Sequence, residues 1–162
     1  MKSKSLRKNV GLIILNHTNE LLLCKRKGTN AWQFPQGGID KKETIKQTAM
    51  RELFEEVGIR GSDIDILAVS NHWYEYMVPA KYKKKTPSLK GFRGQSQKWF
   101  LVKFKKQANP NISFENDHCE EFDKFQWVNY WYPLGKIISF KKEVYKNVIF
   151  EFSSNDRFFA IS

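Results

Sequence analysis

The sequence has no apolar run near the roughly 18–20 residues that a helix needs to cross a bilayer. Behind its basic start, "MKSKSLRKN", stands only the short apolar stretch "VGLIIL". Neither a membrane span nor a secretion signal is supported. Cysteine is scarce: Cys24 and Cys119 lack C-x-x-C spacing, so no disulfide framework is expected and reduced thiols in the cytoplasm are. No G-x-x-x-x-G-K-[ST] loop occurs, which excludes the P-loop route to phosphate binding. Internal repeats and low-complexity segments are also missing. The histidines, His17, His72 and His118, share no ligand spacing and read as surface or buffering groups.

What is present fits one domain over residues 1–162, long enough to bury a core without a structural metal. A hydrophobic content of 41% with 15% aromatics excludes a disordered or collagen-like chain. Acidic residues are outnumbered, 17 against 28 Lys and Arg, leaving a formal charge of +11. Such a balance favours a polyanionic partner, nucleic acid or polyphosphate. Solvated lysine faces would give the same count.

Residues 9–16 and 20–26 are β-type runs around a polar turn, a hairpin. From Lys42 or Glu43 to Val57 there is neither Gly nor Pro, and Ile45, Ala49, Leu53 and Val57 recur every four residues. That spacing predicts an amphipathic helix ended by Gly58. Residues 63–78 and 97–104 have strand content, with a poorly packing loop over 79–94 between them. "FQWVNYWY" is a late strand, and residues 139–152 form a second helix through Val144, Val148 and Phe152. This order predicts an α/β fold, a mixed sheet covered by helices on both faces.

On the first helix Glu52, Glu55 and Glu56 share a face. Three carboxylates repel one another unless a cation neutralises them, and a hard divalent ion such as Mg²⁺ suits oxygen ligands best. A solvated acidic face is the other reading of E-x-x-E-E alone. The surroundings favour the ion. Gly37, Glu43, Arg51, Glu52, Leu53, Glu55, Glu56, Gly58 and Ile59 stand at the offsets G-x5-E-x7-R-E-U-x-E-E-x-G-U, where U is apolar.

This segment resembles the Nudix box. The resemblance implies a Nudix-type α/β/α sandwich with a central mixed sheet, and Mg²⁺- or Mn²⁺-dependent hydrolysis of a phosphoanhydride. The stretches "WQFPQGG", "GQSQKWFL", "EEFDKFQWV", "YWYP" and "SFKKEVY" are similar to the bacterial RNA pyrophosphohydrolase subfamily, also described as (di)nucleoside polyphosphate hydrolases. Likeness runs from about Arg7 to Phe152. It implies an enzyme that converts 5′-triphosphate or diphosphate RNA ends to monophosphate. The alternatives are a dinucleoside polyphosphate hydrolase and a catalytically inactive RNA-binding module. A monomer is expected.

By the same resemblance Glu52, Glu55, Glu56 and the Gly37 carbonyl are metal ligands, and Glu121 binds metal or acts as base. Glu120 competes for that role, because the subfamily's proline before the matching glutamate is replaced by it. Arg51 and Glu43 support the site through ion pairing. Arg7, Arg26, Gln95, Lys98, Phe140 and Lys141 are the substrate contacts, with Phe140 holding a base or serving as a core residue. Residues 81–106 contain ten Lys or Arg and no acid. They form either a track for an RNA backbone or, at Lys83, Lys84 and Lys85, a soluble loop tip. Trp32 and Phe34 are expected to pack under the box, and Cys24 in the core.

Overall fold

The computed structural model of the chain describes residues 5–84, 86–135 and 139–155. Its centre is one eight-stranded mixed sheet. Strands β1 (Leu6–Leu15) and β7 (Gly94–Phe104) run parallel through the middle, in register from Leu6 opposite Gly94 to Leu15 opposite Lys103. Both are covered on two faces. That is why "VGLIIL" and "WFLV" are continuous apolar runs rather than alternating ones.

Antiparallel β2 (Leu21–Arg26) continues the sheet from β1 and pairs in turn with β3 (Trp32–Gln33) and β8 (Phe122–Val128). Strand β4 (Gln36–Gly38) pairs with the first half of β1. Across β7 lie β5 (Ile64–Val69), along its second half, and β6 (Tyr74–Met77), along its first. The expected single β-type segment over 63–78 is thus two strands. They are separated where the Ser70 hydroxyl and N–H bond to the backbone of Trp99.

Helix α1 (Ile45–Val57) starts at Thr44, whose hydroxyl accepts from the Gln47 N–H while the Gln47 side chain accepts from the Thr44 N–H. This reciprocal capping box satisfies two donors that would otherwise lack partners. The helix stops at Gly58, whose φ of 74° strains any residue with a Cβ. Ala49, Leu53 and Val57 face the sheet against Val10, Leu12, Ile14 and Phe100. Helix α3 (Ser139–Ser153) covers the opposite face, with Val144, Tyr145 and Val148 packed on Ile13, Trp99 and Leu101. The α/β/α sandwich and both helices agree with the sequence reading.

Two local expectations need correction. Phe34 is buried against Trp99 and Tyr145 on the α3 side, and Trp32 packs there too, so neither lies under the α1 box helix. The loop over 79–94 also packs better than its composition suggests. It contains the helical turn α2 (Ala80–Lys83) and a 3-10 turn at Pro87–Leu89. Leu89 is buried and Tyr82 packs on Phe140 of α3, so contacts with the core on that side supply what the loop lacks by itself. Lys85 lies outside the described residues.

Candidate active site

The carboxylates of α1 border its apolar stripe: with 3.6 residues per turn, Glu52 and Glu56 sit beside Ala49 and Leu53 rather than opposite them. Packing that stripe on the sheet therefore carries both acids out of water, to 8% and 4% exposure. Glu55, further round, stays half-buried. Burial pushes the Glu52 carboxyl up to about 7, against the pull of Arg51. Glu56 is raised well above the carboxylate range, first by burial and then by the charges of Glu121 and Glu52. It accepts from the Gln36 N–H at 3.1 Å and shares a hydrogen bond with Glu121.

Arg51 organises this cluster. Its Nε and Nη2 each donate to a Glu43 oxygen at 2.8 Å, a forked pair that holds Glu43 down at about 2. Its Nη1 donates to Glu52 at 2.8 Å and Glu55 at 3.1 Å, and Nη2 also reaches the Gly38 carbonyl at 3.0 Å. Glu43 in turn accepts from the Asp40 N–H. One guanidinium thereby ties the loop before the helix to the helix acids. Gly37 fits beneath them because a Cβ there would overlap the Glu52 carboxylate.

A cavity of about 270 Å³ opens over these acids. Of the residues expected from sequence, Gly37, Arg51, Glu52, Glu55, Glu56 and Glu121 line one side of it, and Arg7, Arg26, Gln95, Phe140 and Lys141 line the rest. Lys141 is 5% exposed, donates to Gln33 at 3.2 Å and is depressed to about 8, chiefly by burial and then by Arg26. Phe140 rests on Tyr82 and Tyr76, with centroids 4.9 and 6.0 Å away, and forms an aromatic wall.

Lys98 is not among the lining residues. Alternation along β7 turns Gln95 and Gln97 to the α3 side and Lys98 to the other, where it approaches Trp73. The run of basic residues over 81–106 is likewise not one track. Tyr82, Thr86 and Ser88 border the cavity, while Lys103 stands in register opposite Asp65 of β5 and the Lys105 N–H donates to the Asp63 carbonyl. From Gln95 the strand runs on to Phe104, about 30 Å away, before Lys105 is reached.

Glu120 does not compete with Glu121. It points to solvent and pairs with Lys27 at 2.7 Å, while Glu121 faces the acids of α1. Glu120→Ala is accordingly expected to leave steady-state turnover unchanged, and Glu121→Gln to lower it. Equal losses in the two variants would contradict this assignment. Sequence reasoning passed over Asp117, which is buried and accepts the N–H groups of Cys119 and Glu121 at 3.0 and 2.9 Å. Its signal was available: an Asp that caps its own loop two and four residues ahead is a common turn device. Gln33, Gln36 and Tyr76, which also line the cavity, were missed as well.

A family model described as NUDIX domain matches residues 5–148. The chain belongs to the Nudix family. It is 42% identical over 151 residues to the "RNA pyrophosphohydrolase" of Pseudoalteromonas translucida (strain TAC 125), covering 93% of this chain and 87% of that one. It is 43% identical to the protein of the same name from Pasteurella multocida (strain Pm70), with 91% and 74% covered. Among solved Nudix-like structures, the E. coli dihydroneopterin triphosphate pyrophosphohydrolase superposes with a TM-score of 0.68 at 18% identity, over 91% of this chain and 99% of that one. A C. elegans Ap4A hydrolase gives 0.61 at 18%, over 90% and 98%. These two share the fold.

Nudix hydrolases generally use divalent metal ions. Among the described residues no three His, Cys, Asp or Glu side chains are gathered tightly enough to close on an ion as they stand. Arg51 is shared between Glu52 and Glu55 instead. The donor chemistry nonetheless fits a hard cation. The acids are oxygen donors, burial drives two of them toward their protonated forms, and glycine at 37 leaves its loop close to Glu52.

Proposed function

We propose that this Nudix chain is an RNA pyrophosphohydrolase that converts 5′-triphosphate or diphosphate ends to monophosphate, using Mg²⁺ with Mn²⁺ as a substitute. It acts in the cytoplasm as a single-domain monomer. One observation carries the reading: a single cavity sets the carboxylates of α1 against Arg7, Arg26 and Lys141, with the Phe140 wall beside them. A chain of phosphates attached to a base has that same order of needs. The two relatives named above, similar along almost the whole chain, support the RNA end as substrate.

Glu52, Glu55, Glu56, Glu121 and the Gly37 carbonyl would hold the ion, the first two by turning away from Arg51. When bound, the ion supplies charge neutralisation for the bridging phosphates and acidifies water. Arg51, fixed by its fork to Glu43, positions the helix acids. Glu121, hydrogen-bonded to Glu56, is placed to take a proton from attacking water. Arg7, Arg26 and Lys141 bind the phosphates, and Lys141 gains its full charge as an anion enters beside it. Phe140 offers a π-face to the first base, and Gln95 a polar contact.

Turnover of a 5′-triphosphorylated oligonucleotide, compared with that of diadenosine tetra- and pentaphosphate, tests the substrate. The RNA end is expected to give the higher kcat/KM, with Mg²⁺ required and pyrophosphate or successive orthophosphates released. Brisk dinucleoside hydrolysis with negligible RNA turnover would make the chain a dinucleoside polyphosphate hydrolase. RNA binding without turnover of either substrate would make it an inactive module.

A further inference from the structure

Lys98, displaced from the cavity by strand alternation, joins a second group of residues. Trp73 ends the turn between β5 and β6 and is 37% exposed. The Lys98 ammonium lies 5.8 Å from its ring centroid and the Lys8 ammonium 5.4 Å. The two lysines come from neighbouring strands, Lys8 opposite Ser96 and Lys98 opposite Val10. Among the described residues neither is ion-paired, and Glu75, opposite Ser96 on β6, forms no ion pair with either. Two like charges drawn to one indole repel each other until an anion joins them.

The turn that presents Trp73 is braced. The Ser70 hydroxyl donates to the His72 carbonyl at 2.9 Å and accepts from the Trp99 N–H at 3.0 Å. Glu151 of α3 accepts from the Asn71 N–H at 3.1 Å and from the Tyr74 hydroxyl at 2.6 Å. An aromatic held this way loses little freedom on docking. The group stands on the other face of the sheet from the cavity, one residue away along β1. Arg7, which lines the cavity and lies against Gly38, is the chain neighbour of Lys8 on the opposite face of β1.

We infer that Trp73, Lys8 and Lys98 form a landing site for the single strand that follows the processed RNA end. The indole stacks a base, and the two ammonium groups hold the phosphates beside it. This rests on the RNA reading proposed above and extends it past the first nucleotide. An unpaired cation pair flanking an exposed indole is the combination that binds single strands with little sequence preference, through stacking and backbone charge. A substrate without a downstream strand, such as a dinucleoside polyphosphate, has nothing to place there.

The test uses a 5′-triphosphorylated oligonucleotide of about ten nucleotides, within the usual site size for single-strand binders, with diadenosine tetraphosphate as the short substrate. Binding of the same oligonucleotide with a 5′-hydroxyl is followed by fluorescence anisotropy in EDTA. Trp73→Ala is expected to lower both kcat/KM on the long substrate and oligonucleotide affinity by roughly tenfold, and Trp73→Phe to recover part of the loss. Lys8→Glu should reduce the salt dependence of affinity by about 0.7 in log–log slope. Turnover of the short substrate should stay as it was.

Unchanged oligonucleotide affinity in all variants would overturn the inference and leave this face to a protein partner. Equal losses on long and short substrates would also overturn it, since they mean a distorted cavity. Were the wild-type chain to bind the oligonucleotide through Trp73 without turning over its 5′ end, the proposed function would fall and the landing site would stand.

Discussion

Glu56→Gln is expected to cut Mg²⁺-dependent turnover by roughly 100- to 1,000-fold, the usual scale for losing one transition-state charge contact, while the metal-free protein melts no lower than the wild type at pH 8. The two effects have one cause. Glu56 is almost fully buried, and its carboxyl is forced up by that burial and by the charges of Glu121 and Glu52. Glutamine keeps the shape and still accepts from the Gln36 N–H, but removes the charge that desolvation penalises. Activity therefore falls where stability holds or rises. An acid with a purely structural role would behave in the opposite way: its loss would lower the melting temperature and leave turnover per folded molecule intact. Steady-state rates and circular-dichroism melts on both proteins decide the matter. Turnover within a few fold of wild type would sink the assignment of Glu56 as an ion ligand. Glu55→Gln should lose activity as well, without the gain in stability, because Glu55 is half-buried and paired with Arg51 at 3.1 Å.

That opposition between site and fold explains what was legible in the sequence. The helix glutamates and Arg51 were readable because fixed spacing on a helix places side chains together without knowledge of tertiary structure, and Glu43 from its position in the box. The sandwich was readable because α1 and α3 carry clean four-residue apolar periods. What escaped lies on strands and loops, where partners are set by register. "QSQKW" gives Gln95 and Lys98 equal weight as text, yet they stand on opposite faces of β7. Period-two alternation was sufficient to separate them; knowledge of which face meets the cavity was not available. The ten cations are likewise spread out, since extended chain carries its charges apart instead of gathering them. Asp117 was passed over among Glu115, Glu120 and Asp123, although an Asp ahead of a short loop is a common turn device, and here it turns inward to order Glu121.

The pH dependence of the metal-free protein follows from the same buried acids. Glu52 stands at about 7 in the folded state and Glu56 is raised as well, against an ordinary glutamate value of 4.5. A folded-state pKa above the unfolded one contributes stability that is complete below the unfolded value and is lost as pH rises through the folded one. Melting temperature in EDTA should therefore fall between pH 5 and pH 8. For Glu52 alone the loss is on the order of 3 kcal/mol, or roughly 5–10 °C in a chain of this size. Glu43, held at about 2, acts in the reverse sense but only below pH 4.5, outside that window. Lys141, depressed to about 8, adds stability only as pH climbs beyond that value. Saturating Mg²⁺ should remove most of the decline, because a cation bound to ionised carboxylates in the folded state stabilises it most where those carboxylates have lost their protons. Melts in EDTA and in Mg²⁺ should thus nearly coincide at pH 5 and diverge by pH 8. Curves that stayed parallel across the window would mean that the ion does not sit on the acids of α1, whatever the turnover assays show.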